Sequence, residues 1–406
     1  LLNGKKILLG VTGGIAAFKA ASLCSKLVQQ GAEVRVIMTE SATKFITELT
    51  LQSLSKNPVY TDTFDEKNPA AIAHINLADW ADLVLIAPAT ANIIGKMAAG
   101  IADDMLSTTL LATQAPIMLA PAMNVHMYVH PAVSRNLAEL AARGVMLVEP
   151  GEGLLACGYT GKGRMEEPES IVAVVNSFFK RLYERSQLPL SGKKVVVTAG
   201  GTVERIDPVR YISNDSSGKM GFALAKAAHE LGADVTLLAA NTHLPLPAGI
   251  RVVHLESAQE MYDAVLAEWS VTDILVKAAA VADYRAKEVS DRKIKKSGET
   301  LTLELVKNID ILESLGKQKT KQLLIGFAAE TNDLEKYAMD KLQRKNCDLL
   351  IANDVTREGA GFGTDTNLVN IYDTTGLIES LPLLSKEELG MRIMELAAAR
   401  LPGAQE

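Results

Sequence analysis

Gly4-Lys5-Lys6-Ile7-Leu8-Leu9-Gly10-Val11-Thr12-Gly13-Gly14 opens the chain, and Gly192-Lys193-Lys194-Val195-Val196-Val197-Thr198-Ala199-Gly200-Gly201 repeats it in kind at mid-length. Each is an apolar run between a lysine pair and a glycine turn. Each leads into an apolar-periodic helix, closed by Gly31-Ala32-Glu33-Val34 in one case and Gly232-Ala233-Asp234-Val235 in the other. A buried strand, a glycine turn, a helix and a second strand form the βαβ unit that opens a doubly wound sheet. The chain therefore begins an α/β domain twice. The copies differ in spacing: Gly4 to Gly31 spans 27 positions and Gly192 to Gly232 spans 40. The 13 additional residues fall between turn and helix, where a ligand loop belongs.

Outward from the first start, apolar runs bounded by turn residues recur at 7–11, 34–38, 83–87, 117–120 and 145–148, with helical patterns between them, such as 15–30 and 132–143. The second start is followed by runs at 195–198, 235–238, 274–277, 323–327 and 349–352. That alternation predicts two doubly wound, mostly parallel-sheet α/β domains. Residues 301–306 alternate instead, which suits a half-exposed strand. A polar stretch ending in Pro189 places a linker at 181–190, between domains at 1–180 and 191–406.

Bulk properties agree. A chain of 406 residues that is 48% hydrophobic fills two cores, and a net charge of -6 excludes nucleic-acid binding driven by overall basicity. No apolar run approaches the roughly 18 residues of a membrane span, and no signal-peptide pattern is evident, so the chain reads as soluble and cytoplasmic with no membrane partner. Three cysteines without a CxxC pair argue against a disulfide framework or a zinc site. Cys24 and Cys347 sit in apolar surroundings that imply burial. His126 and His130 have metal-compatible spacing but lack a third ligand, and read as structural or surface residues.

Ligands of open α/β sheets sit beyond the carboxyl ends of the strands. There the first half places Thr12-Gly13-Gly14-Ile15-Ala16-Ala17, then Pro88-Ala89-Thr90-Ala91-Asn92, then Pro121-Ala122-Met123-Asn124. Glycine lets backbone approach a phosphate, and Thr12 adds a hydroxyl beside the amides of a helix start. Residues 151–163 hold five glycines, too many for a stable helix and suited to a mobile flap, with Cys157 upon it.

These turns, with Ala99-Gly100-Ile101-Ala102-Asp103-Asp104-Met105-Leu106, resemble the flavin-dependent cysteine decarboxylases over about residues 4 to 175. The resemblance implies a flavodoxin-like domain in which Thr12, Gly13, Gly14, Ile15, Ala16, Thr39, Pro88, Ala89, Thr90, Asp103, Asp104 and Met123 enclose FMN. It further implies that Asn124 grips the substrate carboxylate, that His74, in its His-Ile-x-Leu context, is the active-site histidine, and that Cys157 is the proton donor.

In the second half, the additional segment carries Arg210, Ser213, Asn214, Ser216, Ser217 and Lys219 ahead of a helix expected at 220–231. One of the small polar residues is expected to cap that helix, which leaves Arg210, Asn214 and Lys219 at a helix start suited to an anion. Lys293-Ile294-Lys295-Lys296 is a compact basic run, and Lys341 and Lys345 stand one turn apart on a helix. A nucleoside triphosphate brings about four negative charges, so several lysines and a Mg2+ are expected around it, the metal being held with the phosphates.

Asp207-Pro208-Val209-Arg210-Tyr211-Ile212-Ser213-Asn214, Ser216-Ser217-Gly218-Lys219-Met220-Gly221, Ala279-Ala280-Val281-Ala282-Asp283-Tyr284, Lys293-Ile294-Lys295-Lys296, Gly326-Phe327-Ala328-Ala329-Glu330-Thr331 and Ala352-Asn353-Asp354 resemble the phosphopantothenate–cysteine ligases over about residues 192 to 402. The resemblance implies a Rossmann-like domain with CTP at Ala279, Ala280, Asp283, Lys293, Lys295, Lys296, Asn308, Ile309, Asp310, Ile311, Phe327, Lys341 and Lys345. It implies that Arg210 and Asn214 serve an acyl-cytidylate intermediate, and it gives Lys293 a part in activation. Ile309 departs from the family, which commonly has proline there.

A flavin decarboxylase followed by such a ligase is the arrangement of the bifunctional enzymes of bacterial coenzyme A biosynthesis. The resemblance implies 4′-phosphopantothenate, L-cysteine and CTP as substrates and a homo-oligomer with trimeric decarboxylase and dimeric ligase contacts, flavin sites being shared across subunits. A flavin prenyltransferase or electron-transfer flavoprotein with an unrelated nucleotide domain, and a non-catalytic nucleotide sensor, remain as alternatives at this point.

Overall fold

The structure is a computed structural model that describes residues 2–65, 72–154, 160–295, 299–330, 334–354 and 363–401. It divides into two compact units, residues 1–183 and 184–406. In the first, β1 (Lys6–Val11), α1 (Ala17–Gln29), β2 (Glu33–Met38), α2 (Glu40–Thr43), α3 (Glu48–Ser55), β3 (Val59–Tyr60) and α4 (Ala73–Trp80) come before β4 (Leu83–Ala89). Then follow α5 (Ala91–Ala99), α6 (Met105–Ala112), β5 (Ile117–Pro121), α7 (Val125–Tyr128), α8 (Pro131–Ala142) and β6 (Met146–Leu147). The strands form one parallel sheet in the order β3-β2-β1-β4-β5-β6.

Both faces of that sheet are covered, which is why its strands are apolar without alternation. Ile7, Leu9 and Val11 pack on one face with Leu23 and Leu27 of α1, while Leu8 packs on the other with Ile93 and Leu106. An antiparallel hairpin, β7 (Gly151–Leu154) with β8 (Thr160–Arg164), follows the sheet and leads into α9 (Pro168–Ser186). That helix continues through residues 181–186, the first part of the stretch expected as linker. Its polar composition there is the solvated end of a helix.

The second unit begins with β9 (Lys194–Gly200), β10 (Val203–Arg205), β11 (Tyr211–Ser213), α10 (Lys219–Glu230), β12 (Asp234–Ala240), β13 (Arg251–Leu255), α11 (Ala258–Trp269) and β14 (Ile274–Lys277). It continues with β15 (Tyr284–Ala286), β16 (Leu305–Lys307), α12 (Ile311–Gln318), β17 (Leu323–Glu330), α13 (Leu334–Arg344) and β18 (Leu349–Asp354). It ends with β19 (Thr366–Asn367), β20 (Val369–Asp373), β21 (Gly376–Ser380), β22 (Leu384–Ser385) and α14 (Lys386–Ala398). The main sheet runs β13-β12-β9-β14-β17-β18-β20-β21, parallel up to β18 and antiparallel at its last two strands.

Three expectations change here. The alternating stretch 301–306 contributes only β16, three residues paired with β15 in a separate hairpin, and Leu301, Leu303 and Leu305 are exposed. The 13-residue excess is itself folded: β10 and β11 pair antiparallel, Val203 opposite Ser213. Helix α10 starts on Gly218 (φ +81°), which has no side chain to cap it, and Ser217 Oγ, one residue earlier, accepts the Lys219 amide at 3.5 Å instead. Among the described residues no helix is long and apolar enough to cross a membrane.

Candidate active sites of the two units

Strand order reverses between β1 and β4 in the first unit and between β9 and β14 in the second, and a cavity lies at the carboxyl ends in each case. The first holds about 940 Å³. It is lined by residues 12–16 after β1, 39–41 after β2, 90–93 after β4 and 122–124 after β5. Among the described residues, the amides of Gly13, Gly14, Ile15 and Ala16 donate to no protein acceptor, whereas that of Ala17 turns back to Gly14. Four such amides at a helix start make a cradle for a phosphate. Gly13 is required sterically: a Cβ there would come within 2.3 Å of the Ser41 Cβ.

Thr12 is buried and fixes the neighbouring turn, donating to the Pro88 carbonyl at 2.7 Å, lying 3.1 Å from Thr90 Oγ1 and accepting the Thr90 amide. Pro88 and Ala89 thus sit behind the cavity wall and do not line it. Thr39 lines it and caps α2. Lys96 bridges Asp103 and Asp104 at 2.6 and 2.7 Å. Burial would push the Asp104 carboxyl up, but hydrogen bonds from Lys96 and Ser107 outweigh it and hold it below the usual carboxylate range.

Asn124 caps α7, its Oδ1 accepting the His126 amide at 2.8 Å. Met123 is held by β8, its amide donating to the Gly163 carbonyl. The hairpin glycines therefore have a packing reason beyond mobility. A Cβ at Gly163 would meet the Met123 oxygen at 2.4 Å, and one at Gly161 would meet Val125 Cγ2 at 2.8 Å. Cys157 lies outside the described residues. His74, on α4, does not line this cavity, and its Nδ1 is buried without a partner among the described residues. Cys24 is buried in the core and His130 Nδ1 accepts the Ala132 amide at the start of α8, both structural roles.

The second cavity, of about 520 Å³, gathers Asp283, Asn308, Ile309, Asp310, Ile311 and Phe327 with Lys341 and Lys345. Asp310 caps α12 through the Glu313 amide, and the Lys345 ammonium, only 5% exposed, donates to both Asp310 and Glu313. Lys341 donates to the Phe327 carbonyl. Hydrogen bonds from Lys317 and Lys345 pull the Glu313 carboxyl down to about 2.

Arg210, Asn214, Lys293, Lys295, Ala279 and Ala280 do not line this cavity, and Lys296 lies outside the described residues. They are nevertheless linked to one another. Asp207, fully buried, accepts the amides of Val209, Arg210 and Ile294 and pairs with the Arg210 guanidinium, which in turn donates to the Ile294 carbonyl. The basic run is thereby clamped to the inserted hairpin. Asn214 donates to the Ala280 carbonyl, and the Ala279 amide is taken by Thr198. Lys219 pairs with Asp365.

Two residues of this region escaped sequence reading. Asp207 enters the sequence reading only as the first residue of the Asp207–Asn214 motif, with no role of its own, although Asp-Pro ahead of a conspicuous arginine is a turn signal. Lys277 ends an otherwise apolar strand and lines the cavity. A charged residue closing a buried strand was the available clue.

Residues 1–180 match the Flavoprotein family, and residues 190–401 match the family described as DNA/pantothenate metabolism flavoprotein C-terminal domain. The chain is 54% identical over 400 residues to the coenzyme A biosynthesis bifunctional protein CoaBC of Bacillus subtilis, covering 98% of each chain. The CoaBC protein of Escherichia coli K12 is 46% identical over 403 residues, again 98% of each. The chain belongs to the CoaBC family of bifunctional coenzyme A biosynthesis proteins. Among solved structures, the FMN binding protein AtHal3 is 35% identical, covering 44% of this chain and 98% of that one, with a TM-score of 0.41. In this CoaBC-family chain the Flavoprotein match covers the first unit, and the match to the DNA/pantothenate metabolism flavoprotein C-terminal domain covers the second.

Proposed function

We propose that the chain performs two consecutive steps of coenzyme A biosynthesis: CTP-dependent joining of 4′-phosphopantothenate to L-cysteine in the second unit, and FMN-dependent decarboxylation of 4′-phosphopantothenoylcysteine to 4′-phosphopantetheine in the first. Its match along 98% of a bifunctional relative carries this reading, supported by a separate cavity beyond the carboxyl ends of the strands in each sheet.

The first cavity fits FMN. Its volume suits a mononucleotide, and the unpaired amides of Gly13 to Ala16 would hold the phosphate. Bound FMN would supply a reversible electron sink: accepting two electrons from the cysteine thiol end eases loss of the adjacent carboxylate, and the reduced flavin would return them to the product. Asn124 presents its Nδ2 to that carboxylate. Cys157 returns the proton to the enethiolate. His74 belongs to the same chemistry and, since it does not line its own chain's cavity, serves the cavity of a neighbouring copy in a trimeric arrangement.

In the ligase unit, the carboxylate of phosphopantothenate is a poor acyl donor until cytidylate is attached as a leaving group; the cysteine amine then attacks and CMP departs. Lys293 offsets charge on the transferring phosphate, with Arg210 and Asn214 holding the acyl-cytidylate and Lys341 and Lys345 among the nucleotide contacts. A Mg2+ is carried in with the triphosphate. The ligase unit pairs as a dimer, and the chain works in the cytoplasm.

The test is conversion of phosphopantothenate, cysteine and CTP to 4′-phosphopantetheine by purified protein, alongside its visible spectrum. A flavin band with no pyrophosphate release would reduce the chain to a flavoprotein; pyrophosphate release without flavin would reduce it to a ligase.

A further inference from the structure

Four lysines, 277, 307, 341 and 345, line the ligase cavity, and they are not equivalent. Lys345 is bound to Asp310 and Glu313, and Lys341 to the Phe327 carbonyl. Lys277 stands at the end of β14 on the same face as Leu275, beneath the helices that cover that side. Among the described residues it donates no hydrogen bond and makes no ion pair. A half-buried ammonium facing a cavity is costly to leave without an acceptor.

The geometry points to Lys277 as a nucleotide contact: its ammonium donates to an oxygen of the bound nucleoside triphosphate and makes the affinity for that nucleotide fall in mildly alkaline solution. This rests on the nucleotide reading of the cavity. The groups facing Lys277 are Lys341 and Arg344 from α13, Lys345 just after it, Asp310 and Glu313 at the start of α12, Asp283 in the loop after β14, Tyr284 at the start of β15 and Lys307 at the end of β16. Burial, then repulsion from Lys341, pulls its ammonium down to about 8, against partial support from Asp310 and Asp283. In the free protein Lys277 is therefore charged below that pH and neutral above it. An anionic ligand restores the charge, so binding near pH 8 takes up a proton. The last phosphate ionisation, near about pH 6, lies below this window.

The experiment is calorimetric titration of the full-length protein with CTP and Mg2+ between about pH 7 and 9, in buffers of different ionisation enthalpy. For the unaltered chain, Kd rises above pH 8 by up to about tenfold per pH unit, with net proton uptake. Lys277→Arg, which keeps the charge and abolishes the titration, retains the pH 7 affinity with a flattened profile and loses the uptake. Lys277→Met binds roughly ten- to a hundredfold more weakly at pH 7, the worth of a charge-assisted hydrogen bond. The same slope and uptake in Lys277→Arg as in the unaltered chain would overturn the assignment, even if Lys277→Met failed to fold. Absence of CTP binding by the unaltered chain at any pH would instead overturn the nucleotide reading itself.

Discussion

Asn214 donates its side-chain amide to the Ala280 carbonyl at 3.1 Å, tying the inserted hairpin of the ligase unit to the loop that follows β14. The same carbonyl accepts the Thr202 amide, so the bond joins a backbone network that crosses the switch point of the sheet. The insertion is thus fixed over the carboxyl end of the central strands at two places, here and at the Asp207 clamp on Ile294.

Asn214→Asp converts that donor into an acceptor facing a carbonyl oxygen. Ligase turnover should fall about a hundredfold or more, the usual loss when a single preorganised donor is removed. Pyrophosphate should still be released, with an activated acyl-nucleotide recoverable from quenched enzyme by chromatography. Lys293→Gln should fail earlier, without a pyrophosphate burst. If both variants lose CTP binding equally and accumulate nothing, the division of labour between hairpin and basic run is wrong.

Much of this was legible in the sequence because parallel strands buried on both faces must be apolar throughout. The core runs at 7–11, 34–38 and 274–277 coincide with strands to within a residue or two. What was not legible depended on partners distant in sequence. The stretch 301–306 alternates like a half-buried strand, yet only residues 305–307 find a ladder, because β15 offers three positions. Cap-rich residues precede α10, but the chain enters that helix through a left-handed glycine, and Ser213 is already donating to the Thr202 carbonyl. The glycines of the hairpin read as mobility, while Gly161 and Gly163 are also demanded by the backbone and side chain lying against them.

Gly13→Ala tests the phosphate cradle. The added methyl would have to displace the backbone at Ser41, which abuts Gly13 and lines the same cavity. Purified Gly13→Ala should lose most of its flavin absorbance and its decarboxylase activity, while pyrophosphate release by the ligase unit continues at the unaltered rate. Full flavin content would place the phosphate elsewhere in the cavity.

Acid should act on the ligase unit through Glu313. Lys317 and Lys345 pull its folded-state carboxyl from 4.5 to about 2. A depressed carboxylate contributes stability that is complete above its unfolded value and disappears as pH falls through its folded one. The melting temperature of the ligase unit should therefore decline between about pH 4.5 and 2. Lys345→Met should flatten that decline, because Asp310 and Glu313 then lose their shared partner. An unchanged acid slope in Lys345→Met would show that the pair does not hold α12 to α13.

His74 offers the sharpest test of how the decarboxylase site is assembled. It lines no part of the cavity formed by its own chain, and its buried Nδ1 has no partner among the described residues. Beside the cavity mouth, Ile15 and Phe18 are each 60% exposed, an apolar margin that a second copy would cover. His74→Asn should abolish decarboxylation and spare the ligase reaction, as Gly13→Ala should. Co-expressed, the two variants form mixed oligomers in which an intact cavity from one chain can meet an intact His74 from the other. Partial recovery of 4′-phosphopantetheine formation, absent from either variant alone, would place His74 in a neighbour's site. If mixed oligomers form and remain inactive, each chain must complete its own site, and α4 would have to move for His74 to reach it.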